Sequence, residues 1–415
     1  MMGFDDALRK ILTGIQPLET TRVSLREALG QVAAEQILAG ADVVSFPRSA
    51  MDGYAIRSGE CANAAREHPV ILPVVGEVFA ERASSTLLPG TALAIATGAP
   101  LPEGADAVIP HEEVECTGSG IHITSPVAHD ACIFSPGEDL RRGDEIVACG
   151  ETLRAATLAL LAFAGTTQLN VFRRPRVAVV CNGHELVDPA MTPGHGQVRN
   201  SNALMLTSLI SELGGLPDDR GTAPDDTAVL SRILKSAHDN SDLLITTGGA
   251  SAGTRDLIKG VLKDSDAQFL FEQVAMRPGR PFGFALWDNK PVCVLPGTPA
   301  AAFVCFQELV RPAMARLTGK KETSLPRVRA RLKGTLRARS ERRYFVLARL
   351  ELDAGAFVAV PLQNQCSALV RTAADSNAII VVPETHSKTD SRMVAGDMVD
   401  VDIFDWPRNY CVHEP

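Results

Sequence analysis

Two arginines, Arg277 and Arg280, flank a Pro-Gly turn in the string M-R-P-G-R-P at 276–281. A guanidinium is a planar fork of N–H donors, and two of them on one stiff loop suit phosphate or another oxyanion. Upstream, T-T-G-G-A-S-A-G-T-R-D at 246–256 combines Gly248 and Gly249 with small residues, Ser251 and Gly253 among them, and ends on Asp256. Glycines let backbone N–H groups approach a ligand, and a following helix turns its positive end toward an anion. The loop is neither a Walker A sequence nor a G-x-G-x-x-G. A third turn, L-P-G-T-P at 295–299, holds Pro296, Gly297 and Thr298. Pro299 suits a first helical turn and Thr298 a cap, so structure accounts for most of this motif.

Acids occur at other turns. Glu185 follows Asn182-Gly183-His184, where a carboxylate at a strand end can meet a hydroxyl, a metal or an amide edge. Asp52 lies in S-A-M-D-G-Y-A at 49–55, and Asp139 closes Gly137-Glu138-Asp139. Such carboxylates bind a divalent cation well, Mg²⁺ shared with ligand phosphates above all, and repel an oxyanion unless a cation intervenes. No Ser or Cys sits beside an obvious base, which disfavours covalent catalysis. The set points to metal-assisted phosphate chemistry.

These turns need elements to hold them. Between 175 and 319 the order strand, Gly-rich turn, helix recurs: strands at 176–181, 242–247 and 292–295, helices at 200–213 and 227–238, and a long helix to Leu317. That is an α/β sheet with its loops gathered at the strand C-termini, where such folds bind ligands. Residues 45–140 are rich in Pro and Gly with short β-type runs, and 325–405 alternate as strands. Phe4, Leu8, Ile11 and Leu12 have helical spacing. Ser24 to Leu29 carries the S-x-x-E capping pattern before Gly30 and predicts a second helix. Residues 151–164 predict another, with Thr152 as cap and Gly165 as stop.

The chain has 415 residues, enough for several domains. Aromatics are 5% and the formal net charge is -8, which argues against a nucleic-acid partner while leaving room for a small anion in a local positive pocket. The start, MMGFDDALRKIL, is acidic where a signal peptide is basic, and the apolar run at 153–164 is too short to span a bilayer. The expectation is a cytoplasmic protein with no membrane partner. The nine cysteines contain no C-x-x-C and are expected to be reduced thiols without metal.

Taken jointly, these strings resemble the MoeA and gephyrin E-domain family, the molybdopterin molybdenumtransferases. S-A-M-D-G-Y-A, T-G-A-P-L-P-E-G-A-D-A-V at 97–108, G-E-D at 137–139, T-G-G-A-S-A-G-T-R-D, R-P-G-R-P and L-P-G-T-P occur in family order. The resemblance implies a multidomain α/β plus β fold. Its parts are an elongated helical domain at 1–44 and 141–174, an inserted β domain at 45–140, a molybdopterin-binding open α/β sheet domain at 175–322 and a C-terminal β domain at 323–415. It implies a homodimer with the site between subunits, and other molybdenum-cofactor biosynthesis proteins or client molybdoenzymes as partners. The implied reaction takes adenylylated molybdopterin and molybdate, needs Mg²⁺, releases AMP and leaves molybdenum on the pterin. By motif matching, Asp52, Asp139, Glu185 and Asp256 are the catalytic carboxylates, with Asp52, Asp139 and Asp256 at the metal. Thr97, Gly248, Gly249, Ser251, Gly253, Arg277, Arg280, Pro296, Gly297 and Thr298 bind substrate. The sequence departs from the family where Arg277 and Arg280 replace lysines, His184 replaces an aspartate and Thr298 an asparagine. Ile133-Phe134-Ser135 also stand where basic residues are usual. These changes leave a second reading open, a non-catalytic protein that binds or delivers molybdopterin or the finished cofactor.

Overall fold

In this computed structural model the described residues are 1–79, 86–248, 257–338, 341–384 and 391–406. Gly249, Ser251, Gly253 and Asp256 lie outside them. The chain divides into two units, one of 1–35, 149–153 and 169–415, the other of 36–148 and 154–168.

The first unit is built on a six-stranded sheet. Its strands are β1 (Arg176–Asn182), β2 (Leu216–Ala223), β3 (Leu243–Thr247), β4 (Gln268–Phe271), β5 (Gly283–Trp287) and β6 (Lys290–Leu295), in the order β2-β1-β3-β6-β5-β4. The first four in that order run parallel, and β5 and β4 are added antiparallel. Both faces are covered, which is why β1 reads as a continuous apolar run. Val177, Val179 and Cys181 face one core, Ala178 and Val180 the other, all fully buried. Each buried Val contributes roughly 1.5–3 kcal/mol.

Helices α1 (Ser201–Glu212), α2 (Thr227–Asp239) and α3 (Leu257–Asp264) return the chain between strands. The first two start on side-chain caps: Asn200 accepts from Ala203 N–H and Asp226 from Val229 N–H. The expected long helix to Leu317 is α4 (Pro299–Cys305), a π-turn over Phe306–Val310 and α5 (Arg311–Leu317). The Arg311 N–H reaches five residues back, to the Phe306 carbonyl, just before Pro312, which has no N–H to extend the ladder. Thr298 occupies the cap position of α4, but its side chain makes no cap bond.

The strands at 327–403 close on themselves. Arg343–Asp353 pairs with Ala356–Pro361 and with Ala378–Val382; Met398–Ile403 and Arg327–Leu332 complete the ring. Closure leaves this five-stranded barrel no open edge among its own strands. The short strand Met276–Arg277 of the arginine turn pairs parallel with Arg343–Tyr344, adding a sixth strand outside the ring.

One helix expectation and one cap expectation fail. Residues 20–24 are a strand, and Ser24 begins a turn rather than a helix. Half of the capping pattern forms: Ser24 N–H and Oγ–H both donate to Glu27 Oε2, at 3.2 and 2.7 Å, while Glu27 N–H goes to the Ser24 carbonyl at 3.1 Å and not to its hydroxyl. Gly30 N–H then donates to the Leu153 carbonyl, so the chain is drawn into pairing instead of a helical ladder. Thr152 is not a cap: it bridges Val32 in extended form, and the helix runs Ala155–Phe163 behind Arg154. Gly165 does end it with φ +83°.

The second unit is β-rich. Gly53–Ile56 is central in a four-stranded sheet, between Ala92–Ile95 and Ala107–Pro110. Tyr54 and Ile56 enter one core and Ala55 another. Gly53 is obligatory there, since a Cβ would lie 2.1 Å from the Ile109 carbonyl oxygen. Among the described residues no helix is long and apolar enough to cross a membrane, and eight cysteines are free thiols.

Candidate functional site

A cleft of about 970 Å³ in the first unit lies where the arginine turn and the α4 turn meet the barrel. Its wall carries Arg277, Arg280, Pro296 and Thr298 from the α/β part, and Arg337, Arg342, Tyr344 and Ser367 from the C-terminal β part. Among the described residues that line it, four are arginines and none is an Asp or Glu. Among the described residues none of the four forms an ion pair; Arg280 Nε donates only to Gln273 Oε1 at 3.4 Å. The Arg277 guanidinium lies over the Tyr344 ring, 5.6 Å from its centroid. Four unneutralised guanidiniums around one cavity make a strong anion site.

Local sequence sets this geometry. Gly279 has φ +110°, and a Cβ there would meet Cys305 Sγ at 2.5 Å, so the turn can only be made with glycine. Register does the rest: Arg277 pairs with Tyr344 because Met276 pairs with Arg343. Arg343 itself is structural. It grips Asp5 with two bonds of 2.7 and 2.8 Å and Glu384 with two more, over the Phe4 ring. The Arg343 guanidinium holds the Asp5 carboxyl below the usual range.

The other two glycine turns also come together. Gly248 has φ +94°, and a Cβ there would stand 2.0 Å from the Asn182 carbonyl oxygen; one on Gly297 would stand 3.2 Å from Gly248 Cα. Asn202 Nδ2 donates to the Gly297 carbonyl at 2.8 Å and to Thr247 Oγ1 at 3.2 Å, while Thr247 Oγ1 donates to the Pro296 carbonyl at 2.8 Å. This buried network fixes the ends of β3 and β6 side by side. Glu185 is exposed and folds back toward Gly183, and His184 Nδ1 meets Asp225 Oδ2 at 2.7 Å.

In the second unit, Asp52 Oδ1 accepts from Thr97 N–H at 2.7 Å and Thr97 Oγ1 at 3.1 Å, so two predicted residues do meet. The backbone and side-chain bonds from Thr97 hold the Asp52 carboxyl below the usual range and keep it ionised. Asp139 is exposed. Among the described residues no group of three His, Cys, Asp or Glu is placed to hold a metal ion.

Sequence reasoning missed Arg337, Arg342, Tyr344 and Ser367. The pair Arg342-Arg343 on an alternating strand was the available signal, but nothing local tells which arginine faces an ion pair and which a cleft.

Comparison with known proteins fits this arrangement. Models of the MoeA N-terminal region (domain I and II), a probable molybdopterin binding domain and the MoeA C-terminal region (domain IV) match residues 2–165, 178–316 and 329–404. Molybdopterin molybdenumtransferase 2 of Mycobacterium tuberculosis is 33% identical over 368 residues, 87% of this chain and 90% of that protein. This chain belongs to the MoeA family. The molybdopterin molybdenumtransferase of Haemophilus influenzae is 35% identical over 79% of this chain and 80% of its own. The crystal structure of the molybdopterin biosynthesis MoeA protein from Pyrococcus horikoshii superposes with a TM-score of 0.81 at 32% identity, covering 98% of this chain and all (100%) of that one. The MoeA frame thus spans both units, while the cleft arginines are read from this chain's own geometry.

Proposed function

We propose that this MoeA-family chain is an enzyme of molybdenum cofactor biosynthesis that inserts molybdate into adenylylated molybdopterin with release of AMP. The cleft with four arginines, and no acid among its described lining residues, carries this proposal. Molybdate is a tetrahedral dianion, and planar guanidinium forks bind such oxygens through paired N–H donors. Arg277, Arg280, Arg337 and Arg342 hold the oxyanion. The turns at Gly248 and at Pro296, Gly297 and Thr298 take the pterin phosphate, with Gly249, Ser251 and Gly253 assigned to the same role from the sequence. Asp52, Asp139, Glu185 and Asp256 are proposed as the working carboxylates, with Thr97 holding Asp52 ionised and oriented.

Magnesium belongs to this proposal. Asp52 is ionised and spends only Oδ1 on Thr97, so Oδ2 remains a hard oxygen donor of the kind Mg²⁺ takes, and Asp139 and Asp256 are its proposed companions. The cation would supply charge neutralisation for the phosphoanhydride. Homodimeric assembly in the cytoplasm is part of the same reading, and light scattering on purified protein checks the first.

The test uses purified protein, adenylylated molybdopterin, molybdate and Mg²⁺, with AMP followed by chromatography. Molybdate-dependent AMP release that falls in Arg337→Ala and Arg342→Ala supports the proposal. Tight pterin binding without AMP release rejects it in favour of a cofactor-delivery protein.

A further inference from the structure

A second cleft in the same unit shares no lining residue with the first and encloses about 510 Å³. That volume falls in the range of small-molecule sites. It is framed by the turn at 29–32, Thr152, Phe172, the C-terminal end of α1, the outward side of α5 and the segment at 320–324.

Its charge is out of balance. Arg311 of α5 is half-buried; its Nε donates to Gln307 Oε1 at 2.8 Å, and among the described residues it forms no ion pair. Burial holds the Arg311 guanidinium below its ordinary value, with Glu212 and Glu308 offsetting this only from beyond bonding distance. Arg174 and Lys320 face the same space, likewise without an ion pair among the described residues. Three cations outnumber the two acids present, Glu212 and Glu322. Thr152 Oγ1, on the same wall, is buried with no hydrogen-bond partner among the described residues. Phe172 supplies an apolar wall stiffened from behind, since a Cβ on Gly319 would lie 2.3 Å from its ring.

A half-buried cation with no counter-ion is costly, and chains normally pair such a group. Here the space beside it is a cavity instead of a carboxylate. The geometry points to a second ligand site in this cleft, one that takes a small phosphorylated or carboxylated molecule with a planar ring. Its anion sits on Arg311 and Lys320, Thr152 Oγ1 donates to it, and the ring lies along Phe172. Glu212 and Glu322, without an ion pair among the described residues, accept any N–H donors at the ligand's far end. Nothing in this site depends on molybdenum chemistry.

Titration calorimetry on the full chain with phenyl phosphate, benzoate and phenol tests it. The background is an Arg277→Gln/Arg342→Gln protein, so that the first cleft is weakened. One saturable site for phenyl phosphate or benzoate is expected, and none for phenol; the tighter of the two anions tells phosphate from carboxylate. Arg311→Gln should weaken that site about tenfold or more, with Arg311→Lys recovering part of the loss. Lys320→Gln, at an exposed position, should weaken it about threefold and serves if Arg311→Gln fails to fold. No saturable site in the background protein, or an affinity untouched by both Arg311→Gln and Lys320→Gln, overturns the inference.

Discussion

The same substitution, glycine to alanine, should move stability in opposite directions at two positions twelve residues apart, Gly248 and Gly260. At Gly248 the new Cβ would stand 2.0 Å from the Asn182 carbonyl oxygen, 3.0 Å from its carbon and 3.3 Å from its nitrogen, all of them backbone. Neighbouring strands β1 and β3 would have to part by more than an ångström at their C-terminal ends. The φ of +94° adds its own penalty, about 1 kcal/mol for a residue with a Cβ. Backbone overlap in a packed region adds about 1–3 kcal/mol, for an expected loss of about 2–4 kcal/mol. At Gly260, inside α3, a Cβ meets nothing within 4 Å. Alanine there should stabilise by about 0.5–1 kcal/mol through helix propensity. In a thermal melt, Gly248→Ala should lower the transition of the first unit by roughly 4–16 °C, and Gly260→Ala should raise it by a few degrees. If Gly248→Ala melts with the parent protein, or if both variants shift the same way, then the closeness of Gly248 to Asn182 does not constrain this fold and the reasoning is wrong.

Three further outcomes are expected. Tyr344→Leu should raise the apparent KM for molybdate by about three- to tenfold through loss of the ring under Arg277, while Tyr344→Phe retains most of the effect; equal behaviour of the two variants in AMP-release kinetics would refute this. Burial pushes the Glu308 carboxyl up from its ordinary 4.5 to about 8, so the unfolded chain sheds this proton first and stability falls as pH rises through that window; Glu308→Gln should therefore gain on the parent in melts between pH 5 and pH 8, and a constant difference would contradict it. Asp5 is held low by Arg343, so its contribution is present above the usual carboxylate range and is lost as acid carries the pH below it; Asp5→Asn should flatten the acid limb of a pH–stability profile, and an unchanged limb would show that the pair is silent.

The sheet was legible because its local signals agree with its long-range ones. The helices expected at 200–213 and 227–238 do form, each started by a side-chain cap, Asn200 and Asp226, and β1, β3 and β6 are apolar runs. The Ser24–Glu27 pattern misled because its hydrogen bonds serve a turn as well as a helix start, and only the distant Leu153 carbonyl decides which follows. The π-turn at Phe306–Val310 leaves no mark that a helical pattern would reveal. Within the site, Arg277, Arg280, Pro296 and Thr298 were found and do line one cleft, and Asp52 and Thr97 do bond. Arg337 and Arg342 escaped because the pairing that brings the arginine turn to this part of the chain joins Met276 to Arg343, 67 residues further on, information that no window of residues contains.

The arginine turn is stitched to the barrel through its own backbone amides. Anyone hoping to cut out a minimal oxyanion-binding fragment from residues 175–322 would therefore discard Arg337 and Arg342, strip Arg277 of its aromatic support and leave Met276–Arg277 as a raw edge open to stray strand addition. The smallest useful piece for engineering is the α/β sheet together with its barrel.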